Sequence, residues 1–240
     1  MARSFLFVCG CPRSGTTALW ELLTSDKRFA LGVERFGTRH FSDEFLTPEL
    51  FEKARFFDAQ SGDTFYSDLG AFNLYYKTVS EHYDEALYVG DKIPTLYNYL
   101  DRLMANFPNC KIIFIFRNVF DVAASYNARL QNENDDWENT AGDAVSDWNA
   151  SLQAALTYQN NLFLVDYEKL FIEHRGIEKL FGYLGLDVSD STRAVFKQLT
   201  TIACNLEAGR ARALTALETK EICEGADFSA YRQLVRITVT

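Results

Sequence analysis

Short apolar runs alternate with amphipathic stretches along most of this chain. Ser4 to Val8, Phe29 to Glu34, Leu87 to Lys92, Lys111 to Phe116 and Asn161 to Asp166 are brief and apolar, so each reads as a buried strand. Helical spacing fills the gaps at Thr16 to Thr24, Thr95 to Phe107, Val119 to Leu130 and Asp143 to Gln159, then at roughly 174–184 and 190–199. Residues 35–85 are less legible. They mix helical patterns, Pro48 to Phe57 and Leu69 to Tyr83, with many aromatic residues that read as core more readily than as pocket. Gln131 to Gly142 is acidic and Asn-rich, and reads as a mobile loop. Residues 200–240 read as a loop with Arg210 and Arg212, a helical LTALETKEICE, and a closing apolar, β-branched LVRITVT.

Strands and helices in alternation predict an α/β fold, a P-loop-like parallel sheet of about five strands with helices on both faces. At 240 residues and 48% hydrophobic, one domain spanning 1–240 is expected. The net charge of −9 argues against nucleic acid or an anionic membrane as partner. Five cysteines at no regular spacing suggest free thiols and a cytoplasmic location. No run matches a signal peptide or a membrane span.

Ligands of parallel sheets bind at the carboxyl ends of the strands. Gly10 to Thr17, Glu34, Lys92, Arg117 and Asp166 all fall there. The stretch VCGCPRSGTT joins a strand to a helix start, which aims backbone N–H groups and a helix dipole at one volume. Its glycines, Gly10 and Gly15, have phosphate-loop spacing, but Thr16 and Thr17 stand where a Walker loop has Lys and Ser or Thr. The cation lies inside the loop instead, at Arg13.

Three motifs together resemble the sulfotransferases that use 3′-phosphoadenosine 5′-phosphosulfate (PAPS). CPRSGTTALWELL is similar to their 5′-phosphosulfate loop, and FRNVFDVAASY to their 3′-phosphate motif. GDKIP resembles a stretch of bacterial members. LVDYEKL with FGYLGL, and more weakly GRARALT, resemble later parts of the family. The His of the cytosolic K-T-H-x-P stretch is absent, since Ile93 and Pro94 follow Lys92, and the C-terminal R-K-G-x-x-G signature is missing. The resemblance is therefore closer to the bacterial carbohydrate-type and tyrosylprotein branch, where a Glu beyond the second strand is the base. Glu34 matches it, 21 residues after Arg13.

The resemblance implies sulfuryl transfer to an acceptor hydroxyl (carbohydrate, lipid, phenol, protein Tyr or carrier-bound). Glu34 would be the base, with Arg13 and Lys92 on the sulfuryl and leaving oxygens. Ser14, Gly15, Thr16 and Thr17 would line the 5′ cradle, and Arg117 with Ser125 would hold the 3′-phosphate. Arg129, one turn beyond Ser125, could join them, and Arg210 and Arg212 would belong to a closing loop. The sulfuryl group carries one negative charge, so no metal is expected. Plainer readings stand beside these. Glu34 could pair with Arg13 or Arg35, Lys92 could be a surface residue, and Arg210 and Arg212 could be solvated. His40, His82 and His174 read as structural. Segment 131–142 could be a lid. A P-loop small-molecule kinase using ATP and Mg2+ is one rival reading, opposed by the missing Walker Lys. The other is a non-catalytic nucleotide-binding module, opposed by the presence of both Glu34 and Lys92.

Overall fold

The computed structural model describes residues 3–64, 72–133, 136–210 and 214–238, without the side chains of 207–210. Five parallel strands form one sheet: β1 (Ser4–Cys9), β2 (Phe29–Val33), β3 (Tyr88–Lys92), β4 (Lys111–Phe116) and β5 (Phe163–Asp166). Their order is β2-β3-β1-β4-β5. Every residue of β2 and β3 is buried, and all of β4 but its first, so both faces of the sheet are covered. The order changes direction at β1, which makes its carboxyl end the expected ligand position.

The helices are α1 (Thr16–Thr24), α2 (Lys53–Phe57), α3 (Asn73–His82), α4 (Leu100–Asn106), α5 (Val119–Leu130), α6 (Ala141–Thr157), α7 (Ile177–Tyr183), α8 (Asp190–Arg210), α9 (Ala216–Gly225) and α10 (Phe228–Ile237). No helix among the described residues is long and apolar enough to cross a membrane. Phe5 and Phe7 of β1 meet Phe51 and Phe107 edge to face, with centroids 4.8–5.9 Å apart. These aromatics therefore serve the core.

Several elements differ from the sequence expectation. Thr95 to Phe107 is not one helix. Pro94 starts a tight 3-10 turn to Tyr99, and only then does α4 begin. Pro48 to Phe57 likewise divides, with Glu52 extended between a 3-10 turn and α2. Leu69 to Tyr83 shortens to α3, with residues 65–71 outside those described. Helix α8 runs on to Arg210, so this Arg ends a helix rather than sitting in a loop. Leu199 and Ala203, one turn apart, are buried and carry the helix past its weak Thr-rich stretch. The closing run is helical from Leu234 to Ile237, and Val239 and Thr240 lie outside the described residues. Asp227 caps α10 by accepting from the N–H groups of Ser229 and Ala230 (3.1 and 3.0 Å), and Ala230 and Leu234 face the core. In 131–142, Trp137 stands edge-on to Tyr126 at 4.9 Å, while Asn134 and Asp135 lie outside the described residues.

Candidate active site

The loop after β1 has backbone geometry that its glycines permit. Gly10 has φ 154°, and a Cβ there would overlap the carbonyl O of Ile115 in the neighbouring strand. Its N–H donates to Pro94 O at 3.0 Å. Ser14 is buried and its hydroxyl donates to Ile115 O at 3.1 Å, tying the loop to β4. Gly15, at φ 101°, opens α1, where no side chain caps the helix and no acid stands in the first turn. The free N–H groups and positive dipole end of α1 remain available to an anion. Thr16 is buried and Thr17 exposed at that start.

Glu34 and Lys92 meet at the adjacent strand ends. The pairing register sets Val33 of β2 against Lys92 of β3, so Glu34 begins just beyond the lysine. Its N–H donates to Lys92 O at 2.8 Å, and Lys92 Nζ donates to Glu34 Oε1 at 2.6 Å. Lys92 is 1% exposed, which rules out a surface role, whereas the Glu34 side chain keeps 24% exposure. Glu21 of α1 also senses this lysine: burial raises its carboxyl, and the Lys92 charge opposes that rise. Arg35 turns away. Its guanidinium pairs with Asp63 at 2.9 Å and donates to the carbonyls of Phe56 and Asp58. Three arginines, Arg35, Arg39 and Arg55, hold Asp63 well below the ordinary carboxylate range despite its burial.

Beyond β4, Arg117 is 2% exposed and lies 3.9 Å over the Tyr167 ring. It donates to Asp121 at 2.8 Å, while its buried Nε, 3.8 Å from Glu168 Oε1, has no hydrogen-bond partner among the described residues. Burial pushes the Glu168 carboxyl up to about 7, with Asn118 and Arg117 opposing and Asp166 assisting. Asp121 and Ser125 follow Arg117 at successive helical turns and share one face of the α5 region. Arg13 Nε donates to Ser125 Oγ at 3.0 Å, which joins the β1 loop to α5.

The structure thus brings together Arg13 with Ser125, and Glu34 with Lys92, at the carboxyl edge of one sheet. Arg129 instead lies 4.3 Å over the Trp137 ring of the 131–142 segment. The Arg210 side chain and all of Arg212 fall outside the described residues. His40 is buried, bonds Thr95 Oγ1 through Nε2 at 2.8 Å, and is pushed down to about 4 by burial, so it is neutral near pH 7. Sequence reasoning missed the acids that hold this edge: Asp91, Asp121 and Glu168. The signals were a carboxylate inside the apolar run LYVGDK and the i,i+4 spacing of Arg117 and Asp121. A cavity of about 570 Å3, lined by residues including Arg39, Phe45, Leu50 and Arg102, lies on the flank and touches none of the strand-end residues.

Residues 6–190 match the family model described as "Sulfotransferase family". No curated protein matches the chain at a significant level. Among solved structures, the sulfotransferase domain from the curacin biosynthetic pathway superposes with TM-score 0.53 at 19% identity, covering 80% of this chain and 77% of its own. The sulfotransferase domain of the Synechococcus PCC 7002 olefin synthase gives TM-score 0.51 at 20% identity, covering 80% and 77%. Mouse sulfotransferase SULT7A1, complexed with PAP, gives 0.50 at 19% identity, covering 82% of this chain and 64% of its own. These identities speak for the fold. The family match, which spans most of the chain and includes the β1 loop, Glu34, Lys92 and the Arg117–Ser125 segment, speaks for descent: the chain belongs to the sulfotransferase family.

Proposed function

We propose that this protein transfers the sulfuryl group of PAPS to an acceptor hydroxyl, with Glu34 as general base. The observation that carries the reading is the Glu34–Lys92 pair, 2.6 Å apart and beside an uncapped helix start. The attacking hydroxyl oxygen forms a bond to sulfur while the bond from sulfur to the bridging phosphate oxygen breaks. The proton passes to Glu34, whose residual exposure lets an acceptor reach it. Such a positioned base contributes roughly 10²–10⁴-fold in rate. Charge grows on the bridging oxygen, where Lys92, Arg13 and the Gly15 to Thr17 amides would act as preset donors. Lys92 Nζ gives Glu34 one of its three N–H donors, so it can keep that bond and still donate to the leaving oxygen.

Arg117 and Ser125 would hold the 3′-phosphate. The unpartnered, buried Nε of Arg117 fits an anion there, as the glycine-lined loop fits the 5′ group. The hydroxyl acceptor belongs to the carbohydrate, lipid, phenol, tyrosyl or carrier-bound classes. His40 is fully buried with its Nε2 engaged by Thr95 Oγ1, whereas the Glu34 side chain keeps 24% exposure, which supports Glu34 as the base. Five unpaired cysteines support a reducing, cytoplasmic setting.

Transfer from sulfur-labelled PAPS to a panel of hydroxyls (a sugar, a phenol, a tyrosyl peptide, a sterol and a hydroxyacyl pantetheine) tests the reading. Wild type should sulfate at least one. Glu34→Gln and Lys92→Ala should each cut turnover tenfold or more, about 1.4 kcal/mol, with PAP affinity nearly unchanged. Full activity in both variants overturns the mechanism. Calorimetry showing tight ATP–Mg2+ binding and indifference to the 3′-phosphate would overturn PAPS itself.

A further inference from the structure

We infer that Asp91 is a positioning residue of this site: its carboxylate clamps the turn that presents Glu34 to Lys92. The inference rests on the proposed role of Glu34. Asp91 and Lys92 are neighbours in β3, so their side chains leave opposite faces of the sheet. Lys92 reaches the Glu34 carboxylate, while Asp91 reaches the backbone behind it. Asp91 Oδ1 accepts from the Arg35 N–H at 3.1 Å and Oδ2 from the Phe36 N–H at 2.8 Å. With the Glu34 N–H on Lys92 O, three consecutive amides are bound to two consecutive residues of β3. Within that wrap Glu34 has φ 52°, a left-handed conformation that costs a non-glycine residue about 1–2 kcal/mol. The turn closes with Gly37 N–H on Glu34 O at 3.0 Å.

Gly32 makes the room. It lies opposite Asp91 in the β2–β3 register, and a Cβ there would stand 2.7 Å from Asp91 Oδ1 and 2.6 Å from Arg35 Cβ. Among the described residues no cationic side chain bonds Asp91, and the adjacent Arg35 is committed to Asp63. The charges it senses are Lys92 and Glu34, and the neighbouring phenol Tyr75 donates to Leu31 O. Burial consequently pushes the Asp91 carboxyl up to about 7, against the two amide bonds and Lys92. An acid buried without a cation is costly for stability. What it supplies that Asn cannot is two acceptor oxygens for two adjacent N–H groups. That cost falls on the carboxylate that holds the two amides directly after the proposed base, on the segment that sets its direction.

The test compares Asp91→Asn with wild type in the labelled-PAPS assay, using the acceptor on which wild type is active. The expected result is a kcat loss of about tenfold or more with PAP affinity within about twofold. In a Glu34→Gln background, Asp91→Asn should add less than about twofold, because it acts through Glu34. Gly32→Ala should reproduce the pattern from the neighbouring strand. The 13Cδ resonance of Glu34 and the 15Nζ resonance of Lys92 should move in both variants, and this readout needs no turnover. Wild-type kcat with unmoved resonances overturns the inference, and so does a kcat loss that multiplies with Glu34→Gln. Loss of folding in both variants, seen as lost circular dichroism and lost PAP binding, would make Asp91 structural and also overturn it. A wild type inactive on every acceptor refutes the sulfotransfer reading instead, and the resonances still decide Asp91.

Discussion

Lys92 and Arg117 each carry an acid at bonding distance, and that partner governs what a substitution does. Arg117→Ala would leave Asp121 and the half-buried Glu168 without their cation. PAP affinity should fall tenfold or more, about 1.4 kcal/mol or greater, which calorimetry can measure. Arg117→Lys keeps the charge but loses the planar stack on Tyr167, so it should fall between the two. Glu168 also sets a pH dependence. Burial raises its carboxyl from 4.5 when unfolded to about 7 when folded. Its contribution to stability is therefore full below about pH 4.5 and is lost as pH rises through about 7. Denaturant midpoints of Glu168→Gln should show a shallower decline than wild type across that window. The strand-end positions of Arg13, Glu34, Lys92 and Arg117 were legible because a charge that follows an apolar run stands out. Their acid partners were not: Asp121 and Glu168 look like ordinary helix-surface acids until burial is known.

At the scale of elements, the β1 loop depends on a glycine facing backbone rather than side chain. Gly10→Ala would set a methyl group against the Ile115 carbonyl, which cannot rotate away. The expected cost is about 2–4 kcal/mol, measurable by urea unfolding, together with a loss of PAP binding. The five strands were legible since a short apolar run bounded by turns has few other uses. Helix limits were less so. The periodicity of Thr95 to Phe107 suggested one helix, yet the fixed φ of Pro94 starts a 3-10 turn that runs to Tyr99 before α4 begins. The closing LVRITVT was legible only as an apolar, β-branched run, and it is Asp227 with the Ala230–Leu234 face that makes it helical as far as Ile237. The segment 35–63 was opaque for another reason. It is held by the buried Arg35–Asp63 pair and by guanidinium bonds to carbonyls, which follow no sequence period.

For the whole molecule, alternation of strands and helices gave the layers, but the order β2-β3-β1-β4-β5 was beyond it, because burial pattern does not say which strands pair. That order bears on how the protein is made. The loop after β1 is synthesised before the segments that shape it, for Ser14 is fixed by Ile115, 101 residues later, and Gly10 by Pro94. A nascent chain that has reached only residue 90 therefore carries the whole loop sequence without the partners that shape it. Central-strand closure between such distant segments belongs to slow, high-contact-order folding, on the scale of milliseconds to seconds. A ribosome-stalled chain ending near residue 90 should accordingly fail to retain PAP, whatever its loop sequence, and the anion cradle should mature only after β4 has emerged.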